Sequence, residues 1–318
     1  MGVEKMNTNK IISWLLQGDV TIQYQTHRDL LESEAKVLNS LKNRIQFEGW
    51  GKEFLNGRHI KINPGRGFYQ PKLINTHYML LDLKNNCISP DIKEIKDTLS
   101  AVFKHEKGPD GAINPSNVIK QSDVCINGMV LNYASYFGVR ELNLHSIVDF
   151  ILSQHMNDGG FNCWLNRKGA THSSLHSTIS VIEGILEYAK NGYKYRLSEL
   201  QEVEIQSREF ILQHRLFKSD KTGEIIDNRM LMLCYPTRWR YDVLRALDYF
   251  RNADVPYDPR MEEAIEVIKK HQSSDGTWPL QVKNSEEIFF DIEEVGKPSR
   301  WNTLRALRIL KYFNAQNN

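Results

Sequence analysis

The stretch Ile265-Glu-Val-Ile-Lys-Lys-His-Gln272-Ser-Ser-Asp275-Gly276-Thr-Trp278 decides how this chain folds. Apolar residues at helical spacing run up to a glutamine. A short polar loop, a glycine and an aromatic residue follow. The pattern recurs: Phe150 to Gln154 leads to Asp158-Gly159-Gly160-Phe161, and Phe210 to Gln213 leads to Gly223-Glu224-Ile225. The three glutamines stand 59 residues apart in both intervals. A weaker fourth copy runs from Ile95 to Asp110-Gly111-Ala112-Ile113 and lacks the glutamine. Self-similarity at a fixed long period marks a repeat architecture, in which each unit buries its apolar face only against its neighbours.

Each turn leads through a loop into a second helical stretch. These stretches start near Pro71, Gln121, His172, Pro236 and Pro298. Proline suits a helix start because the N–H it lacks would be unpaired there. From Arg300 to Phe313, Trp301, Leu304, Leu307, Ile309 and Leu310 share one side, with Arg305, Arg308 and Lys311 off that face. No run alternates polar and apolar over a useful length, so strands are not expected. Twelve helices are expected, at 9–17, 20–33, 34–48, 71–84, 91–106, 121–137, 144–156, 173–191, 198–216, 237–252, 258–272 and 299–314. Paired, they make six helical hairpins in one all-α domain over 1–318. The expected architecture is an α/α toroid, like an (α/α)6 barrel. Residues 1–50 would complete the ring and 70–314 carry the best-matching repeats.

The 318 residues hold 41 Lys+Arg against 39 Asp+Glu, a formal net charge of +2. That balance lacks the basic stripe of a phosphate-tracking protein, so no nucleic-acid partner is expected. With 41% hydrophobic and 25% charged residues, the chain can bury a large core. No apolar run approaches the ~20 residues of a membrane span. Met1 to Lys10 lacks the apolar core of a signal peptide. Cys87, Cys125, Cys163 and Cys234 lie far apart with no Cys-x-x-Cys, so reduced thiols and a cytoplasmic location are expected.

Gln272-Ser-Ser-Asp-Gly-Thr-Trp278 is similar to the Q-x-x-D-G-x-W repeat motif of squalene and oxidosqualene cyclases. Gly296-Lys-Pro-Ser-Arg-Trp-Asn-Thr-Leu-Arg-Ala-Leu-Arg-Ile-Leu310 resembles the inner helix that follows such motifs. That superfamily also includes the β subunits of protein prenyltransferases. The resemblance covers 70–314 in repeat layout and 140–314 in motifs. It implies an α/α toroid whose central apolar cavity holds a small isoprenoid-like ligand. In such a motif the glutamine can bond backbone groups at a helix end, and the aromatic can pack on the next hairpin. Gln154, Gln213, Gln272, Phe161 and Trp278 therefore read as scaffold. Two departures stand out. The D-x-D-D acid motif of squalene cyclases is absent, the nearest acidic cluster being Asp291-Ile-Glu293-Glu294. Those cyclases are also longer, with two helical domains.

Candidate chemistry gathers at the expected starts of inner helices. Protonating an alkene needs an acid kept neutral by burial and like-charged neighbours. Asp242, Asp291, Glu293 and Glu294 are the candidate catalytic acids; the plainer reading is an ion-pair partner for Asp242 and a solvated loop for the others. The fifth inner helix would open with Tyr235-Pro-Thr-Arg238-Trp239-Arg-Tyr241-Asp242, and the sixth with Pro298-Ser-Arg300-Trp301. Trp239, Trp301 and Tyr241 can face a cation or wedge hairpins together. Arg238 and Arg300 can clamp a diphosphate or carboxylate, or pair with a neighbouring acid. His77, with His27, Tyr24 and Tyr78, falls where a cavity wall is expected.

Protein prenyltransferases bind zinc through an Asp-x-Cys pair on one inner helix and a histidine on a later one. Asp123-Val-Cys125 and His172-Ser-Ser-Leu-His176 resemble that set, and zinc is the metal it would take. The ordinary alternative is a buried cysteine acting as a small hydrophobe and a surface histidine. Gly65-Arg-Gly67 lacks a following helix and reads weakly as a phosphate cradle.

Three functions fit. The first is a terpenoid-cyclase-like or prenyltransferase-like protein that binds, and cyclises, an isoprenoid. The second is a non-catalytic toroid that binds a partner on a concave surface. The third is an (α/α)6 carbohydrate-active enzyme, for which Asp123, Glu183 and Asp242 would supply a carboxylate pair about 5–9.5 Å apart.

Overall fold

Each expected helix has a counterpart in the computed structural model, which describes residues 2–56, 69, 75–114, 121–283 and 290–316 and is all-α. In chain order the helices are α1 (Gly2–Leu16), α2 (Val20–Asp29), α3 (Ala35–Arg44), α4 (Gly49–Asn56), α5 (Thr76–Asn85), α6 (Lys93–His105) and α7 (Val124–Tyr136). They continue with α8 (Glu141–Ser153), α9 (Leu165–Lys168), α10 (Leu175–Lys190), α11 (Leu197–Gln213), α12 (Val243–Asn252), α13 (Glu262–Lys270) and α14 (Arg300–Asn314). The only strands among the described residues are two-residue β1 (Trp278–Pro279) and β2 (Pro298–Ser299), paired antiparallel. Short α4 and α9 have no counterpart in the sequence reading. Pro71 and Gly65-Arg-Gly67 lie outside the described residues.

The repeat is real at the level of hydrogen bonds. Gly108, Met156 and Ser273 each donate their N–H to the carbonyl four residues on, at 2.8, 3.0 and 2.8 Å. Each accepts from a glycine three residues on, at 3.0, 2.9 and 2.9 Å. Those glycines, Gly111, Gly159 and Gly276, have φ of +80°, +92° and +87°, a conformation that a side chain would strain. The next residue but one is then fastened to the following inner helix. Ile113 N–H donates to Asn127 Oδ1 at 2.8 Å, Phe161 N–H to Thr178 Oγ1 at 3.0 Å, and Trp278 N–H to Thr303 Oγ1 at 2.9 Å. Ile113, Phe161 and Trp278 are all fully buried. The copy without a glutamine thus keeps the geometry. The Gln213 copy departs from it: its loop is one residue longer, Ser219 pairing with Glu224, and Ile225 is exposed.

The glutamines behave unequally. Gln272 Nε2 bonds the Gly276 carbonyl at 3.0 Å, as expected of the motif. Gln154 reaches only Ser153 Oγ and Gln213 only Glu209.

Contacts link the second helices of the hairpins in sequence and return to the first. Gln25 of α2 bonds the Asn85 carbonyl of α5 at 2.9 Å, and His77 of α5 bonds Tyr133 of α7 at 3.1 Å. Helices α7 and α10 meet backbone to backbone at Gly128 and Gly184, where a Cβ on Gly184 would lie 2.2 Å from the Gly128 carbonyl oxygen. Arg245 of α12 pairs with Glu183 of α10, and Arg308 of α14 bonds Asp248 of α12 and Gln25 of α2.

The expected helix starts need correction. Tyr235 to Asp242 is not the first turn of α12, which begins at Val243 with Asp242 as its cap. Likewise α7 begins at Val124, α10 at Leu175 and α14 at Arg300. Arg305 and Arg308, off the apolar face as expected, are nonetheless buried at 5% and 8% exposure, because α14 is covered on both faces.

Candidate functional site

The starts of the inner helices are occupied with capping. Four first-turn N–H groups of any helix lack intrahelical partners and are costly to bury unmet. Asp19 accepts from Thr21 N–H and Trp50 N–H, both at 2.8 Å. Asn75 accepts from Tyr78 N–H at 3.0 Å, and Ser299 from Asn302 N–H at 2.9 Å.

Asp242 does the same for α12. Its carboxylate accepts from Arg245 N–H at 2.7 Å and Cys234 N–H at 3.1 Å, and the residue is fully buried. Burial pushes its carboxyl up, against the pull of Arg305 and these bonds. Glu293 covers the start of α14, accepting from Arg300 N–H at 2.7 Å, Trp301 N–H at 3.2 Å and the Ser299 hydroxyl. Burial raises it too. Both acids are bound to backbone rather than presented to a ligand. Asp291 is exposed and pairs with Lys283 at 2.7 Å, and Glu294 is exposed. The four candidate acids therefore do not converge.

The candidate ligand-binding residues divide. Trp301 and Arg238 line the main cavity; Trp239, Tyr241, Arg300 and His77 do not. Arg300 lies over the Trp14 ring at 4.5 Å, and Trp239 packs by His176 with ring centroids 5.5 Å apart. Tyr241 donates its hydroxyl to the Leu216 carbonyl at 2.5 Å. His77 is fully buried, and burial, then nearby Arg238, lowers its pKa to about 3.

The zinc set is also dispersed. Cys125 is disulfide-bonded to Cys163, which corrects the expectation of four reduced thiols and removes its thiolate as a ligand. His176 Nδ1 accepts from Tyr241 N–H at 2.9 Å, and burial brings its pKa to about 4. His172 is exposed, and Asp123 stands at the N-cap position of α7. Among the described residues no three His, Cys, Asp or Glu side chains are placed to hold a metal ion.

The cavity opens at the far ends of α2, α5, α7, α10 and α12, and its floor reaches back to the first turn of α14. It has a volume of about 440 Å³, and its wall draws on α2, α5, α7, α10, α12 and α14 together with the 235–238 segment. The last residues of five of these helices, Asp29, Asn85, Tyr136, Lys190 and Asn252, belong to the wall. Arg28, Lys84, Lys190 and Arg251 sit in last turns, where a cation complements the helix dipole. Lys190 and Asn252 are exposed, whereas Tyr235, Arg238, Arg245, Trp301 and Arg305 are buried. The helix ends therefore form the mouth, and the buried group forms the floor.

The wall is polar. Eight cations and four carboxylates line it, with Leu81, Leu186 and Trp301 as its main apolar patches. The apolar cavity implied by the resemblance is not what these residues build. A hydrocarbon there would strip water from charges, which is strongly unfavourable.

The charges are interlocked. Arg308 bonds Asp248 and Asp29, Arg28 grips Asp29 at 2.6 and 2.9 Å, Arg245 grips Glu183 at 2.9 and 2.6 Å, and Lys84 meets Glu187 at 2.9 Å. Burial alone would raise Asp29 and Asp248. The guanidiniums of Arg28 and Arg308 nonetheless bring Asp29 down to about 2, and Arg308 and Arg251 hold Asp248 well below the carboxylate range. Glu183, the one carbohydrate-enzyme candidate in the wall, is closed by Arg245, and Asp123 and Asp242 are not in the wall with it.

Tyr235, Arg245, Asp248, Arg305 and Arg308 were missed as wall residues. The available signal was spacing: 301, 305 and 308, and 245, 248 and 252, put polar side chains on one helix face.

No protein-family model and no curated protein sequence matches this chain. No helix among the described residues is long and apolar enough to cross a membrane.

Proposed function

We propose that this chain is an α/α toroid, laid out like the terpenoid cyclases and prenyltransferases, that binds a small polar ligand in its central cavity. The closed sequence of contacts from α2 to α14 and back supports the ring. One observation carries the ligand class: a cavity of about 440 Å³ lined by eight cations and four carboxylates. The volume suits a metabolite-sized molecule. Binding is favoured over acid catalysis because Asp29, Asp248 and Glu187 are held ionised by cations, while raised Asp242 and Glu293 are tied to backbone N–H groups. Cytoplasmic residence, expected from four separate thiols, loses that support with the Cys125–Cys163 bond.

The isoprenoid reading keeps one specific support. Trp301 stacks between Tyr235 at 4.2 Å and Trp50 at 6.0 Å, an aromatic surface at the cavity floor. Thermal unfolding of the full chain with a panel of ligands separates the two, because a ligand that binds only the folded state raises the midpoint with its concentration. Polar anions and sugars are expected to raise it, and polyprenyl alcohols to leave it unchanged. A rise with polyprenyl alcohols alone contradicts the proposal.

A further inference from the structure

The arginines of the cavity floor are not equivalent. Arg238 meets Asp82 at 3.0 Å, Arg245 meets Glu183 at 2.6 Å, and Arg308 meets Asp29 at 2.8 Å. Arg305 is as deeply buried, at 5% exposure, but its ion pair to Asp248 is 3.6 Å long and its bond to the Cys234 carbonyl is 3.4 Å. Its Nη2 donates to no described residue. Two neighbours in the wall, buried Tyr235 and half-buried Thr237, likewise have hydroxyls that make no hydrogen bond to a described residue. None of these donors is among the buried unpartnered atoms of the described residues; they open into the cavity, where a ligand's oxygens can accept from them.

The local charge points the same way. The wall holds eight cations against four carboxylates, and Arg28, Arg251, Arg305 and Arg308 gather around Asp29 and Asp248, with Asp242 behind Arg305. Guanidinium presents a planar fork suited to phosphate oxygens. Tyrosine and threonine hydroxyls add neutral donors to the same oxygens.

We infer that Arg305, with Tyr235 and Thr237, anchors a phosphate dianion at the cavity floor, carried by a small phosphate ester or as free phosphate. This rests on the polar-cavity reading above and names its ligand class. The ester's remaining hydroxyls would face the amide-bearing wall, where Asn132 Oδ1 has no hydrogen-bond partner among the described residues.

The test is calorimetric titration of the untagged full chain at pH 8 and constant ionic strength with inorganic phosphate, glycerol 1-phosphate and glycerol. Both phosphates are expected to bind saturably and glycerol not to bind. Tighter binding of the ester marks an ester ligand, and tighter binding of phosphate marks the free ion. Arg305→Gln, with its fold checked by circular dichroism, is expected to weaken both phosphates at least tenfold, Arg305→Lys and Tyr235→Phe less. Exposed Arg44→Gln is expected to change nothing. Equal phosphate affinity in folded Arg305→Gln overturns the anchor. If that variant does not fold, unchanged affinity in both Arg305→Lys and Tyr235→Phe overturns it instead. Binding of neutral sugars without phosphate overturns this inference but spares the polar cavity, and binding of polyprenyl alcohols alone removes both.

Discussion

The two ends of the inner helices are built from the same kinds of residue and do different work. At the starts, Asp19, Asn75, Asp242 and Ser299 turn their side chains onto backbone N–H groups, and the turns before α7, α10 and α14 are pinned by Asn127, Thr178 and Thr303. At the ends, Arg28, Lys84, Lys190 and Arg251 line a cavity. An acid at a helix start is thus closed by the backbone, while the cations at the helix ends pair with side chains and carbonyls of the cavity mouth. The acids of the motif-rich starts are spent on capping, whereas Tyr235, Arg238 and Trp301 of the same motifs reach the cavity floor.

Changes at four positions in the repeat turns and helix starts test that contrast. Each is expected to alter stability and leave ligand affinity alone. The largest effect belongs to Trp278→Ala. The indole is fully buried and its N–H bonds the Ile268 carbonyl at 2.7 Å, so a loss of about 3–5 kcal/mol in urea unfolding is expected. Asp242→Ala removes a buried cap and leaves two N–H groups unmet, for a loss of about 2–3 kcal/mol. Asp242→Asn keeps an acceptor and should lose less than half as much. A folded Asp242→Ala that has lost ligand binding while keeping wild-type stability would return this residue to the site.

Acid comes next. His77 has a folded pKa of about 3 and His176 of about 4, both below the ordinary value. Above pH 6.5 both states carry neutral rings. Below it the unfolded chain takes up protons that the folded chain refuses, so stability falls as pH drops toward these folded values. For His77 alone the loss is about 2 kcal/mol by pH 5, at 1.36 kcal/mol per pH unit. Unfolding midpoints at pH 7 and pH 5 measure it, and His77→Gln should flatten the slope. The smallest effect is Arg300→Ala, which loses a contact over Trp14 and one bond to its carbonyl at 3.2 Å. A loss under about 1 kcal/mol is expected; a large drop in ligand affinity would contradict the placement of Arg300 outside the cavity.

Much of the fold was legible because the repeat writes itself into sequence as helix, polar loop, glycine and aromatic. Trp278 and Phe161 are buried as scaffold, as their positions imply. Helix α4 escaped because Gly49 and Gly51 weaken its first turn, and α9 because four residues give no period. Pro236 misplaced the start of α12, which lies seven residues on at Val243 behind the Asp242 cap, whereas Pro298 stands directly before the Ser299 cap of α14. The site was less legible. Trp301 and Arg238 were named from the helix-start motifs and do line the cavity. Arg305 and Arg308 lie off the apolar face of α14, as expected, yet are buried. Helix α14 has two covered faces, and the second carries charge. Cys125 and Cys163 lie 38 residues apart in sequence, a separation that carries no pairing signal.

Native mass spectrometry of untagged protein, beside Arg305→Gln and Asp242→Asn, tests the central claim most directly. The account predicts that added glycerol 1-phosphate appears as an adduct on the wild type and on Asp242→Asn, and is absent from Arg305→Gln. An adduct retained by Arg305→Gln and lost from a folded Asp242→Asn would contradict it, placing the ligand at the helix starts after all.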